Sequence, residues 1–109
     1  MHDLSESNLP YNFTLAADES DQTELFRTNT TKAYVLVDPY DDCYLKVEIL
    51  DSNGTSLAER TLSIKLSDER TPTVTFTNLT ASKNYKVRIT NYSQKEVLVG
   101  GGIRDSFFW

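Results

Sequence analysis

The chain reads as an all-β protein, an antiparallel two-sheet β-sandwich of seven or eight short strands. Three observations predict it. Apolar residues recur with period two in short runs, such as Leu45, Val47, Ile49 and Tyr85, Val87, Ile89, which is the pattern of strands with one buried face. Turn-forming residues punctuate these runs, among them Asp38 with Pro39, Asn53 with Gly54, and the polar stretch 68–72. No heptad and no long amphipathic helical period interrupts them.

Residues 1–10 are polar, end at Pro10 and read as a flexible lead-in, leaving one domain over 11–109. The first strand then carries Tyr11, Phe13, Leu15 and Ala17. After the acidic stretch from Asp18 to Glu24, Leu25 and Phe26 suggest a brief strand, with a single helical turn as the other option. Ala33, Tyr34, Val35, Leu36 and Val37 form a continuous apolar run, expected of a central strand covered on both faces and stopped by Pro39. Leu45, Val47 and Ile49 alternate with Tyr44, Lys46 and Glu48.

Asn53 with Gly54 signals a hairpin, since both residues tolerate the positive φ of a tight turn. A strict two-residue loop sets Glu48 opposite Glu59, an unfavourable like-charge pair; a longer loop with Gly54 in the left-handed region is the other solution. Leu62, Ile64 and Leu66 continue the alternation. Val74 and Phe76 supply the buried side of a threonine-rich strand, and Tyr85, Val87 and Ile89 that of the next, against Lys86, Arg88 and Thr90. A last strand spans 96–99, and Gly100, Gly101 and Gly102 mark a bend, bulge or release point before Ile103 and the terminal Phe107, Phe108 and Trp109.

Val74, Phe76 and Leu79, followed six residues later by Tyr85 and then by Val87 and Ile89, resemble the corner between the fifth and sixth strands of fibronectin type III domains. The resemblance covers 74–92 and implies an immunoglobulin-like sandwich in which the Tyr85 hydroxyl bonds back to the corner backbone. Ala81 stands where that family usually has proline, and the amino-terminal half lacks the family's tryptophan. Leu45 to Gly54, taken with Phe76 to Asn91, is similar to bacterial pre-peptidase C-terminal domains and related sandwich modules of secreted proteins, so the sandwich is expected to be either immunoglobulin- and fibronectin III-like or jelly-roll-like. These resemblances imply an extracellular or cell-surface setting and carry no catalytic residues to transfer.

The functional expectations are largely exclusions. A formal charge of -5 disfavours nucleic acid, no apolar stretch is long enough to span a membrane as a helix, and the lone Cys43 excludes an internal disulfide. The one histidine, His2, lies in the expected lead-in. Cys43 has no histidine base and sits beside Asp41 and Asp42, which disfavour its thiolate. The three glycines lack the lysine and helix of a phosphate loop. The protein is therefore expected not to be an enzyme.

Asp38, Asp41 and Asp42 surround a turn and suit local hydrogen bonding better than the paired carboxylates of a glycosidase. With Asp51 and Asn53 they are also the only calcium candidates, on condition that the two loops share an edge; otherwise no cofactor is expected. Asn12, Asn29, Asn53, Asn78 and Asn91 each begin a glycosylation sequon, a richness that polar sheet faces explain by composition alone.

What remains is aromatic and basic surface. Tyr40, Tyr44 and Tyr92 are candidates to stack on sugar rings or anchor a protein partner. Lys86 and Arg88, with Lys83, form a basic strip that is either a solvated face or an anion contact. Phe107, Phe108 and Trp109 either complete the protein's own sheet or join a neighbouring subunit into an oligomer. The expected function is a non-catalytic extracellular or surface module binding a carbohydrate or protein. The alternative is a structural subunit of a surface layer, fibre or phage particle with the terminal aromatics as its interface.

Overall fold

Alternating burial dominates the strands and explains why the chain closes into two layers. A computed structural model describes residues 1–68 and 71–106. One sheet contains β1 (His2–Asp3), β3 (Ser20–Gln22), β4 (Phe26–Arg27), β6 (Cys43–Asp51), β7 (Ser56–Ile64) and β9 (Asn84–Asn91). Its order is β1-β4-β9-β6-β7, with β3 also paired to β9. The other sheet runs β2 (Leu9–Leu15), β10 (Val97–Arg104), β5 (Ala33–Pro39), β8 (Thr73–Phe76). Among the described residues all pairings are antiparallel except β1 with β4.

Phe13, Leu15, Val35, Val37 and Val99 from the four-stranded sheet are buried with Leu45, Val47, Ile49, Val87 and Ile89 from the six-stranded one. This is a β-sandwich, with ten described strands in place of seven or eight. The additional ones are the short β1 and β3. The acidic β3 is exposed along its length, so no hydrophobic pattern announces it; it is held by backbone pairing of Ser20, Asp21 and Gln22 with Thr90, Ile89 and Arg88.

The first ten residues belong to the fold. His2 and Asp3 pair with Phe26 and Arg27, Leu4 and Leu9 are buried, and β2 begins at Leu9. The isolated leucines Leu4 and Leu9 carry this docking, which their polar neighbours mask in the sequence. The run in β5 also differs from expectation: Ala33, Val35 and Val37 are fully buried while Tyr34 and Leu36 are only half-buried, so the strand is central but covered completely on one face.

The largest difference concerns the glycines. Gly100, Gly101 and Gly102 lie inside β10, paired with Asn12, Tyr11 and Pro10 on one side and with Asp38, Val37 and Leu36 on the other. Tyr11 reaches from β2 across β10 and donates its hydroxyl to the Leu36 carbonyl of β5 at 2.7 Å. At Gly101 the φ is +153°, and a Cβ would stand 2.0 Å from the Leu36 oxygen and 3.1 Å from the Tyr11 hydroxyl. A side chain is excluded there chiefly by the Leu36 carbonyl of the neighbouring strand, with the crossing Tyr11 hydroxyl crowding the same space. Burial, and secondarily the nearby Asp38 carboxylate, push the Tyr11 phenol well above its ordinary range.

The β6–β7 hairpin uses the longer loop. Asp51 closes it: its N–H donates to the Thr55 carbonyl, its carbonyl accepts from Gly54 N–H, and its Oδ1 accepts from Asn53 and Thr55 N–H. Gly54 has φ +86°. A bulge after Ile49 then restores one residue of register, because Ile49 faces Ala58 while Leu50 faces Ser56. Glu48 consequently still lies opposite Glu59. Its other neighbour resolves the conflict: Glu48 faces Arg88 on β9, and both of its oxygens accept from that guanidinium at 3.0 Å.

At the β8–β9 corner, Tyr85 is buried and its hydroxyl accepts from Thr80 N–H at 2.8 Å. Asn78 and Ser82 flank the bend with positive φ. The hydrogen bond that the corner resemblance implies is thus present, and it ties the turn to the core.

Candidate functional site

The antiparallel ladder of β9 with β6 continues one step beyond Leu45 and Asn91. Tyr92 N–H donates to the Tyr44 carbonyl at 2.9 Å, and Tyr44 N–H donates to Ser93 Oγ at 2.8 Å. Directly opposed residues share a face of the sheet, so Tyr44 and Tyr92 stand side by side on the outer face, 58% and 46% exposed. They line a cleft of about 560 Å³ with Asp42, Ser63, Lys65, Gln94 and Lys95. That volume is in the range of small-molecule sites.

The two rings are held differently. The Lys46 Nζ lies 5.5 Å from the Tyr92 ring centre, and the proximity of Tyr92 raises the lysine above its ordinary pKa. Lys46 is in turn 3.5 Å from Glu48 Oε1, the carboxylate that Arg88 grips from the other side. The Arg88 hydrogen bonds hold the Glu48 carboxyl below its usual range despite burial, and Glu48 raises Arg88 in return. A chain of contacts thus runs Arg88, Glu48, Lys46, Tyr92 along the outer face, restricting the Tyr92 ring before any ligand arrives.

At the cleft rim, Lys95 pairs with Asp41 at 3.0 Å, an exposed contact whose hydrogen bond lowers the Asp41 carboxyl. Asp42 Oδ1 accepts from Leu66 N–H at 2.7 Å. Among the described residues Lys65 has no ion-pair or hydrogen-bond partner for its side chain. Cys43 is buried at the cleft floor, and burial together with Asp41 pushes its thiol up to about 11. It stays protonated at neutral pH.

The expected site residues therefore separate. Tyr44 and Tyr92 come together. Tyr40 is 68% exposed, but it follows β5 and bonds through its backbone to Leu98, outside the cleft lining. Arg88 is occupied by Glu48 instead of standing free, which breaks the basic strip, and Lys86 lies six positions down from Tyr92 and outside the cleft. Phe107, Phe108 and Trp109 lie outside the described residues.

The calcium candidates do not meet. The turn bearing Asp38, Asp41 and Asp42 and the loop bearing Asp51 and Asn53 sit at opposite ends of β6, about 27 Å apart at strand rise. Asp41, Asp42 and Asp51 already accept backbone N–H groups. Among the described residues no group of three His, Cys, Asp or Glu side chains is placed to hold a metal ion.

Of the sequons, Asn91 is fully buried, its amide donating to the carbonyls of Leu15, Ala16 and Lys95 and its Oδ1 accepting from Ser93 N–H. That knot fixes the turn carrying Ser93 and Lys95. Asn12, Asn29, Asn53 and Asn78 are exposed. Among the described residues no helix is long and apolar enough to cross a membrane.

Sequence reasoning missed Ser63, Lys65, Gln94 and Lys95 as cleft residues. They follow or end different strands, and only the pairing of β6 with both β7 and β9 draws those ends together.

No family model matches this chain, and no curated protein matches it either.

Proposed function

We propose that this protein is a non-catalytic binding module that works outside the cell or at its surface and holds a carbohydrate in the cleft between Tyr44 and Tyr92. The observation that carries this reading is the directly opposed, exposed tyrosine pair. Two flat rings on a rigid sheet offer stacking surface at little entropic cost, and Lys46 restrains one of them. Ser63, Gln94 and Asp42 line the same cleft and supply hydrogen-bonding groups for hydroxyls. The non-catalytic part rests on the residues available: the thiol in the cleft is kept neutral, and the nearby aspartates are engaged by backbone N–H groups. The extracellular setting rests on the resemblance to secreted sandwich modules. A protein partner seated on the same tyrosines is the other occupant of this reading.

The test is a backbone-amide NMR titration of the whole chain with cello-, chito-, malto- and xylo-oligosaccharides. Shifts centred on Tyr44, Ser63 and Tyr92, abolished by Tyr44→Ala combined with Tyr92→Ala, are the expected result. Shifts elsewhere, or none with any sugar, count against it.

A second reading, a structural subunit of a layer, fibre or particle, is favoured by β7. This nine-residue edge strand presents Leu57 at 51% exposure, and Leu66 just beyond it is 53% exposed, features that invite edge-to-edge association. Light scattering that reports only monomer over a wide concentration range would remove that reading.

A further inference from the structure

We infer that the ligand of the Tyr44–Tyr92 cleft is an acidic saccharide, its ring against the tyrosines and its anionic group between Lys65 and Lys95; this rests on the carbohydrate-binding reading above. β7 and β9 flank β6 on either side, so Lys65, just after β7, and Lys95, after β9, enter the cleft from opposite sides. Two strand spacings separate those sides, about 10 Å, comparable to a substituted sugar ring. The described lining holds these two ammonium groups and the carboxylate of Asp42, and Asp41 at the rim pairs with Lys95, so Lys65 is the cation that meets an anionic group first.

Neither ammonium is committed elsewhere by a strong contact. Lys65 has no side-chain partner among the described residues, and the Lys95–Asp41 pair has both side chains more than half exposed, 52% and 55%. Exposed pairs of that kind exchange readily for a better anion. Asp42 repels an anion, but its Oδ1 is turned to Leu66 N–H, leaving the other oxygen to accept a sugar hydroxyl. A neutral saccharide satisfies the tyrosines and leaves Lys65 without an ion pair among the described residues. An extended polyphosphate chain meets the acidic net charge of the rest of the molecule.

The test is calorimetric titration of the full chain with an oligogalacturonate, a heparin-derived oligosaccharide, a malto-oligosaccharide of similar length and a short oligothymidylate. One of the acidic sugars is expected to bind at least about tenfold tighter than the neutral one, with affinity falling as salt rises; the first two probes separate carboxylate from sulfate recognition. Lys65→Gln is expected to weaken acidic-sugar binding about fivefold, much more than it weakens neutral-sugar binding, with the melting temperature unchanged. Equal or tighter binding of the neutral sugar, tighter binding of the oligothymidylate, or an unaltered Lys65→Gln variant overturns the inference. If the neutral sugar binds through Tyr92 and the acidic sugars bind no better, this inference alone fails. If no saccharide binds, the carbohydrate reading fails with it.

Discussion

Tyr85 and Tyr92 lie seven residues apart on one run of chain and do opposite things. Tyr85 is 4% exposed, with its hydroxyl accepting from the corner at Thr80; Tyr92 is 46% exposed, with its ring lining a cleft. Chain parity decides the difference. Tyr85, Val87, Ile89 and Asn91 point into the sandwich, and Tyr92 follows Lys86, Arg88 and Thr90 on the other face. The inward tyrosine is fixed by packing. The outward one is steadied by a polar chain from Arg88 through Glu48 and Lys46. A tyrosine's role here follows from its face, and each face supplies its own means of restraint.

Truncation breaks the comparison most sharply. Tyr85→Ala removes a buried ring and its hydrogen bond and is expected to cost about 3–5 kcal/mol in denaturant unfolding, whereas Tyr92→Ala is expected to cost less than about 0.5 kcal/mol. Comparable losses at both positions would contradict the division into scaffold and site. Gly101→Ala extends the test to a second inward tyrosine. Its new methyl meets the Leu36 carbonyl and crowds the Tyr11 hydroxyl, so a loss of about 3 kcal/mol or more is expected, with Tyr11→Phe as a much milder control.

Glu48→Gln probes the outward restraint. It takes the charge from a buried acceptor while Arg88 stays partly solvated, so about 1–2 kcal/mol is expected at neutral pH. The Glu48 pKa is depressed in the folded chain from its ordinary 4.5, so its contribution is present above that value and is lost as pH falls through the lower folded pKa. Melting curves of wild type and Glu48→Gln are therefore expected to converge in acid and separate toward neutrality. The smallest change, Tyr85→Phe, deletes only the bond to Thr80 N–H and is expected to cost about 1–2 kcal/mol.

Much of the scaffold was legible where one face is apolar and the other polar: β6, β8 and β9 lie close to their period-two runs, and the spacing from Leu79 to Tyr85 located the corner. Elements held by backbone pairing without an apolar pattern were not, as with β3. The glycines misled for a physical reason. Flexibility is the usual meaning of consecutive glycines, but here all three lie inside a paired strand, and at Gly101 a side chain would strike the Leu36 carbonyl and crowd the Tyr11 hydroxyl, a demand set by residues far away in the sequence. For the site, Tyr44 and Tyr92 were legible as outward aromatics. Lys65 and Lys95 were not, because their meeting depends on which strands neighbour β6, and pairing order is absent from local periodicity.

The central claim is that the outward tyrosines form a binding surface on a scaffold that stands without them. The most direct measurement is the backbone-amide NMR titration with oligosaccharides, run on wild type and on Tyr44→Ala combined with Tyr92→Ala. The account predicts saturable shifts at residues 42–44, 63–65 and 92–95 in the wild type and a variant that keeps its folded spectrum but does not respond. Saturable shifts that survive in the double variant, or that cluster away from β6 and β9, would contradict it.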